Sequence, residues 1–147
     1  MTSGRSPGPN LGDVFAHHAD DDRIAVVDLV NPDWPREFSF AAFDARIDSA
    51  AAGLRASGLV PGNRIAILAL NRIEYLEALF GAMRAGCVPV MVNVKLPTET
   101  IRFIIKDAGA KIVFVDPALI DRCPGGQRMV VFDGTDYDKF LWPGPFE

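Results

Sequence analysis

Arg64 to Leu70 read RIAILAL, with one charge at the first position and no polar residue after it. A strand with apolar side chains on both faces must be covered on both, which is where a strand of a parallel sheet sits. CVPVMVNV, from Cys87 to Val94, reads as a second buried strand. KIVFVD reads as a third, from Lys111 to Asp116, and RMVVFDG as a fourth, from Arg128 to Gly134.

The segments between these runs have a helical period. Ser39 is a favoured N-cap residue. After it, Phe40, Phe43, Ile47, Ala50, Ala51 and Leu54 fall on one face, with Asp44, Asp48 and Arg55 mostly off it, and Gly58 supplies the stop. LVPGNR then makes a tight turn. Asn71 is placed to cap a second helix. Ile73, Leu76, Phe80 and Met83 form its buried stripe, Glu74, Tyr75 and Glu77 its exposed or half-exposed face, and Gly86 its end. PTETIRFIIKDAG is a third helix, opening at Pro97 or Thr98 and burying Ile101, Ile104, Ile105 and Ala108. PALIDR reads as a short helix and CPGGQR as a turn.

Upstream, RIAVVDL and REFSF flank NPDWP, where two prolines block both helix and ladder, so they read as a hairpin. Leu11 to Ala19 reads as a short helix burying Leu11, Val14 and Phe15. The expected fold class is therefore α/β: an N-terminal β-hairpin followed by alternating βα units that form a mostly parallel sheet. Residues 1–10 read as a loose, disordered tail, 11–135 as the folded part, and 136–147, which lacks a period, as a linker against a surface.

The residues name no reaction. Neither GxGxxG nor GxxxxGK[ST] occurs, and GLVPGNR and PGGQR read as turns rather than phosphate cradles. No GxSxG elbow occurs, and both histidines, His17 and His18, are adjacent near the N-terminus, so they do not share a helix face for a metal. The acidic run ADDDR reads as a solvated turn. Cys87 and Cys123 read as buried or idle thiols of a reducing compartment. A net charge of −4 argues against a phosphate-binding surface for nucleic acid. No apolar run reaches the length of a membrane span and no leader shows before Leu11, so the expected location is cytoplasmic. One loop stands apart. VNVKLP follows a strand at the carboxyl end of the sheet, where open α/β sheets place ligands, and Asn93 and Lys95 are its polar residues.

The ordered motifs carry a resemblance. They are Phe38-Ser39-Phe40 at a helix start, Gly58 to Ala66 as Gly-x-x-Pro-Gly-Asn-Arg-Ile-Ala, and Asn71 at the second helix. Ala85-Gly86 then precedes a strand ending at Asn93, and Asp107-Ala108-Gly109-Ala110-Lys111 closes the third helix. Together, over roughly 11–147, they resemble the N-terminal region of adenylate-forming enzymes such as acyl-CoA synthetases and peptide-synthetase adenylation domains. Met91-Val92-Asn93-Val94, Pro97-Thr98 and Asn63 depart from the common pattern. The resemblance implies a partial domain of a larger adenylating fold, with PGPFE leading toward a phosphate loop outside this chain. It implies a parent using ATP, Mg²⁺ and coenzyme A on a fatty or aromatic acid, with no cofactor bound and no catalysis by these residues alone. Asn93, Val94 and Lys95 would lie at the edge of the coenzyme A tunnel. The expected partners are the rest of the adenylation domain and, for the isolated chain, another copy of itself. A stand-alone interaction domain and a small flavodoxin-like binding domain are the competing readings.

Overall fold

The computed structural model describes residues 10–144 and Phe146. The expected tail, apart from Asn10, lies outside the described residues, as do Pro145 and Glu147 of the final segment. Strands β1 (Ile24–Asp28) and β2 (Arg36–Ser39) form an antiparallel hairpin. Helix α1 (Phe40–Ala56) follows directly, with the Ser39 hydroxyl accepting from the Ala42 amide at 3.1 Å. Then come β3 (Arg64–Leu68), α2 (Ile73–Arg84), β4 (Val88–Met91), α3 (Thr98–Asp107), β5 (Ile112–Val115), β6 (Met129–Val131) and α4 (Asp136–Phe140). The sheet runs β4-β3-β5-β6, every pair parallel, as the apolar runs predict.

The two central strands divide their side chains by the period of two. Ile65, Ile67, Ile112 and Phe114 join Leu54, Ala78, Ala82, Phe132 and Tyr137 in one core layer, under α1, α2 and α4. Ala66, Leu68, Val113 and Val115 join Ile101 and Ile105 in the other, under α3. A third cluster of Phe43, Ile47 and Ile73, with Phe15, Phe38 and Phe80 packed on it, fastens the hairpin to α1 and α2. The two helices cross closely because Gly81 has no side chain. A Cβ there would lie 2.7 Å from the Ala50 Cβ.

Several expectations need correction. β4 is an edge strand, not a buried one, and Val88 and Met91 are exposed. Pro89 within it suits an edge, since proline cannot donate to a second neighbour. Leu11 to Ala19 forms two short 3₁₀ turns, Leu11–Asp13 and Ala16–His18, rather than one helix. Leu11 and Val14 are exposed, while Gly12 and Ala16 are buried. The cause is the approach to α2, where a Cβ on Gly12 would meet the Arg84 nitrogen at 2.2 Å. The expected linker contains α4, whose Tyr137 is buried edge-on against the stacked rings of Phe114 and Phe132. Among the described residues, no helix is long and apolar enough to cross a membrane.

Candidate functional site

The carboxyl ends of β3, β4 and β5 release three loops side by side, at residues 69–72, 92–97 and 116. Ala69, Leu70, Asn71, Tyr75, Val92, Asn93 and Val94 line an open groove there of about 470 Å³. Asp116, at the end of β5, fixes the first loop. Its carboxylate accepts from the Leu70 amide at 2.7 Å and from the Arg72 guanidinium at 2.8 Å.

Arg72 continues into a charged chain that ties the sheet to the hairpin. It donates to Glu74 at 2.8 Å, and Glu74 accepts two bonds from Arg36 at 2.8 and 3.1 Å. Arg36 also bonds Asp28 at 2.6 Å. Asp28 then caps α2 from outside, accepting from the Ile73 amide at 2.8 Å. Asn71, expected as that cap, is exposed, and the N-cap position belongs to Arg72, which makes no side-chain cap bond. A carboxylate at a helix N-terminus is favoured by the helix dipole, and the charged residue supplied by β1 displaces the local amide.

Glu74 and Glu77 are both buried, contrary to the expected solvent face of α2. The reason is arginine pairing, which periodicity does not encode. Burial would raise the Glu74 carboxyl, but hydrogen bonds from Arg36 and Arg72 outweigh it and bring the pKa down to about 2. Burial likewise opposes ionisation of Asp28, and the amide bonds of Val30 and Ile73, with Arg36, overcome it and lower its pKa. Glu77 differs. Burial pushes its carboxyl up, even against its 2.5 Å bond from Arg46. Asp44, expected off the buried face of α1, is buried against Arg84, which also hydrogen-bonds Asp48 and forms an ion pair with Asp13 at 3.2 Å.

The sequence-derived residues Asn93, Val94 and Lys95 sit at the rim of the groove. Asn93 and Lys95 are exposed, while Val94 and Leu96 pack against the α3 layer. Asn93 Oδ1 accepts from the Lys95 amide at 2.9 Å, and its carbonyl accepts from the Leu96 amide at 3.2 Å. Asn93 and Val94 line the groove, and Lys95 stands just outside it. Arg72, Asp116 and Arg122 were not singled out by sequence. An arginine immediately before a helix and an aspartate at a strand's carboxyl end were the available signals.

The described residues do not fit a nucleotide phosphate and its metal. No three His, Cys, Asp or Glu side chains among them are grouped to hold a metal ion. Gly58, Gly86 and Gly109, with positive φ, follow helix C-termini, and at Gly134, which precedes the five-residue α4, the Thr135 and Asp136 amides already donate to the Asp133 carboxylate. Cys87 and Cys123 are buried and free, and burial pushes both thiols up, away from reactivity.

Residues 14–142 match the family described as AMP-binding enzyme. Feruloyl-CoA synthase of Amycolatopsis sp is 37% identical over 79 residues, covering 54% of this chain and 16% of that protein. The long-chain-fatty-acid–CoA ligase FadD13 of Mycobacterium tuberculosis is 32% identical over 84 residues, covering 57% of this chain and 17% of that protein. The chain thus spans less than a fifth of the length of these curated relatives. The N-terminal domain of FACL13 from Mycobacterium tuberculosis shares the fold, with a TM-score of 0.77 at 24% identity, over 91% of this chain and 36% of that one. With the family's pattern matched from just after the first 3₁₀ turn to just beyond α4, this chain belongs to the AMP-binding enzyme family.

Proposed function

We propose that the chain is the N-terminal part of a longer, cytoplasmic ATP-dependent acid–CoA ligase that forms AMP and pyrophosphate through an acyl-adenylate. The substrate class we assign is a fatty or aromatic carboxylic acid. The family match over 14–142 carries this reading, supported by the similarity to a feruloyl-CoA synthase and a long-chain-fatty-acid–CoA ligase. In this reading the 147 residues supply scaffold and one ligand-facing edge, while the groups that hold ATP and Mg²⁺ lie outside them.

The edge is the groove rim. Lys95 would offer a cation to the phosphates of coenzyme A, and Asn93 Nδ2, unpartnered among the described residues, an amide donor to its pantetheine arm. Coenzyme A supplies the thiol that accepts the acyl group. These residues only bind and orient it, and we assign no step of the chemistry to them. The exposed apolar side chains Leu29, Val30, Trp34 and Met91 are the surface the rest of the ligase would cover. For the isolated chain they would drive self-association, to be read as a concentration-dependent mass in sedimentation.

The test expresses the 147-residue chain beside the longest reading frame that contains it, with fatty and aromatic acids, ATP, Mg²⁺ and coenzyme A. The longer product is expected to form AMP and acyl-CoA and the 147-residue chain neither. AMP formation by the short chain, or an inactive longer product, contradicts the reading.

A further inference from the structure

Arg122 lies in the 3₁₀ turn Pro117–Arg122, between β5 and β6, and is half-buried. Among the described residues it pairs with no carboxylate, and its guanidinium is directed at the segment that joins β4 to α3. Nη1 donates to the Val94 carbonyl at 2.6 Å, Nη2 to the Leu96 carbonyl, and Nε to the Thr98 hydroxyl at 3.1 Å. The planar fork of arginine reaches all three acceptors at once, which the ammonium of a lysine does not match. Below the same segment, Val94 and Leu96 pack on the α3 layer. With the backbone held by Arg122 and the apolar side chains packed on the α3 layer, Asn93 is left exposed at the groove and Lys95 exposed just outside it.

We infer that Arg122 is the positioning residue of this ligand-facing loop, setting where Asn93 and Lys95 stand without touching the ligand itself. The assignment of coenzyme A as that ligand rests on the reading above, whereas the clamp itself rests on the three bonds. A segment so held is pre-organised, so a ligand that meets it does not bear the cost of ordering it.

Amide hydrogen exchange on the 147-residue chain, wild type beside Arg122→Ala and Arg122→Lys, tests the clamp. The Lys95 and Leu96 amides, which bond back to Asn93, report the turn. In Arg122→Ala they are expected to exchange about tenfold faster or more, with Arg122→Lys between, while the amides of Ile65–Leu68 and Ile112–Val115 keep their protection. Unchanged exchange at Lys95 and Leu96 overturns the inference. So does a uniform rise with no excess there, which marks general stability alone. If Arg122→Ala does not fold, Arg122→Gln replaces it with the same criteria. Coenzyme A added to the wild type separates the two ideas, because amide shifts at 93–96 support the ligand. Their absence removes coenzyme A as the ligand while the exchange data still decide the clamp.

Discussion

Replacing Glu74 by Gln removes one negative charge from the centre of the Asp28–Arg36–Glu74–Arg72–Asp116 chain without changing the side-chain shape. In the folded protein Glu74 titrates at about 2 against an ordinary 4.5. That gap corresponds to about 3 kcal/mol of interaction favouring the charged form. Arg36 is 43% exposed, and solvent screening there reduces the expected effect to about 2 kcal/mol. The sign follows from the lowered pKa. The unfolded chain takes up the proton first, so this stability is present above about pH 4.5 and is lost as pH falls from there toward 2. Urea denaturation of wild type and Glu74→Gln, repeated from pH 7 to pH 3, measures it. Glu74→Gln is expected to be about 2 kcal/mol less stable at pH 7, with the difference shrinking as pH approaches 3. Equal stability at pH 7, or a difference that stays constant through the acid range, would refute the reasoning.

Other substitutions test the packing. Gly81→Ala gains about 1 kcal/mol of helix propensity but drives a Cβ to 2.7 Å from Ala50, so a net loss of about 1–2 kcal/mol and a lower Tm by circular dichroism are expected. Arg84→Met leaves Asp13, Asp44 and Asp48 without their shared partner and should cost about 3–5 kcal/mol in chemical denaturation. Protease cleavage near residues 10–18 should rise in the same variant, because Arg84 also holds the Gly12 carbonyl. Tyr137→Phe is expected to cost no more than about 1 kcal/mol in urea denaturation, since the buried hydroxyl faces the Glu77 carboxylate without a hydrogen bond of good geometry. Tyr137→Ala should lose about 3–5 kcal/mol in the same measurement, which a surface linker would not.

The sheet was legible because RIAILAL after its first residue, and KIVFVD between its charged ends, are unbroken apolar runs, and only double-sided burial makes that favourable. Ser39 and Gly58 marked the ends of α1 for local reasons, capping and positive φ, and both act as read. What escaped depends on distant partners. Asp28 replaces Asn71 as the cap of α2 from 45 residues away, and no window of sequence contains both groups. Glu74 and Glu77 look solvent-facing until Arg36, Arg72 and Arg46 are brought beside them. Tyr137 was missed because a helix as short as α4 shows no period, though its aromatic residues were a signal for the core. At the candidate site, the strand-end position drew attention to Asn93, Val94 and Lys95. Arg122, whose acceptors are 24 to 28 residues upstream, offered nothing comparable.

The most direct measurement is calorimetric titration of the purified 147-residue chain with Mg²⁺-ATP and with a non-hydrolysable acyl-adenylate analogue. The account predicts no saturable heat from either ligand, because the described residues offer no phosphate cradle and no grouped metal ligands. Stoichiometric binding at micromolar concentration, by a chain shown to be folded and intact, would contradict it.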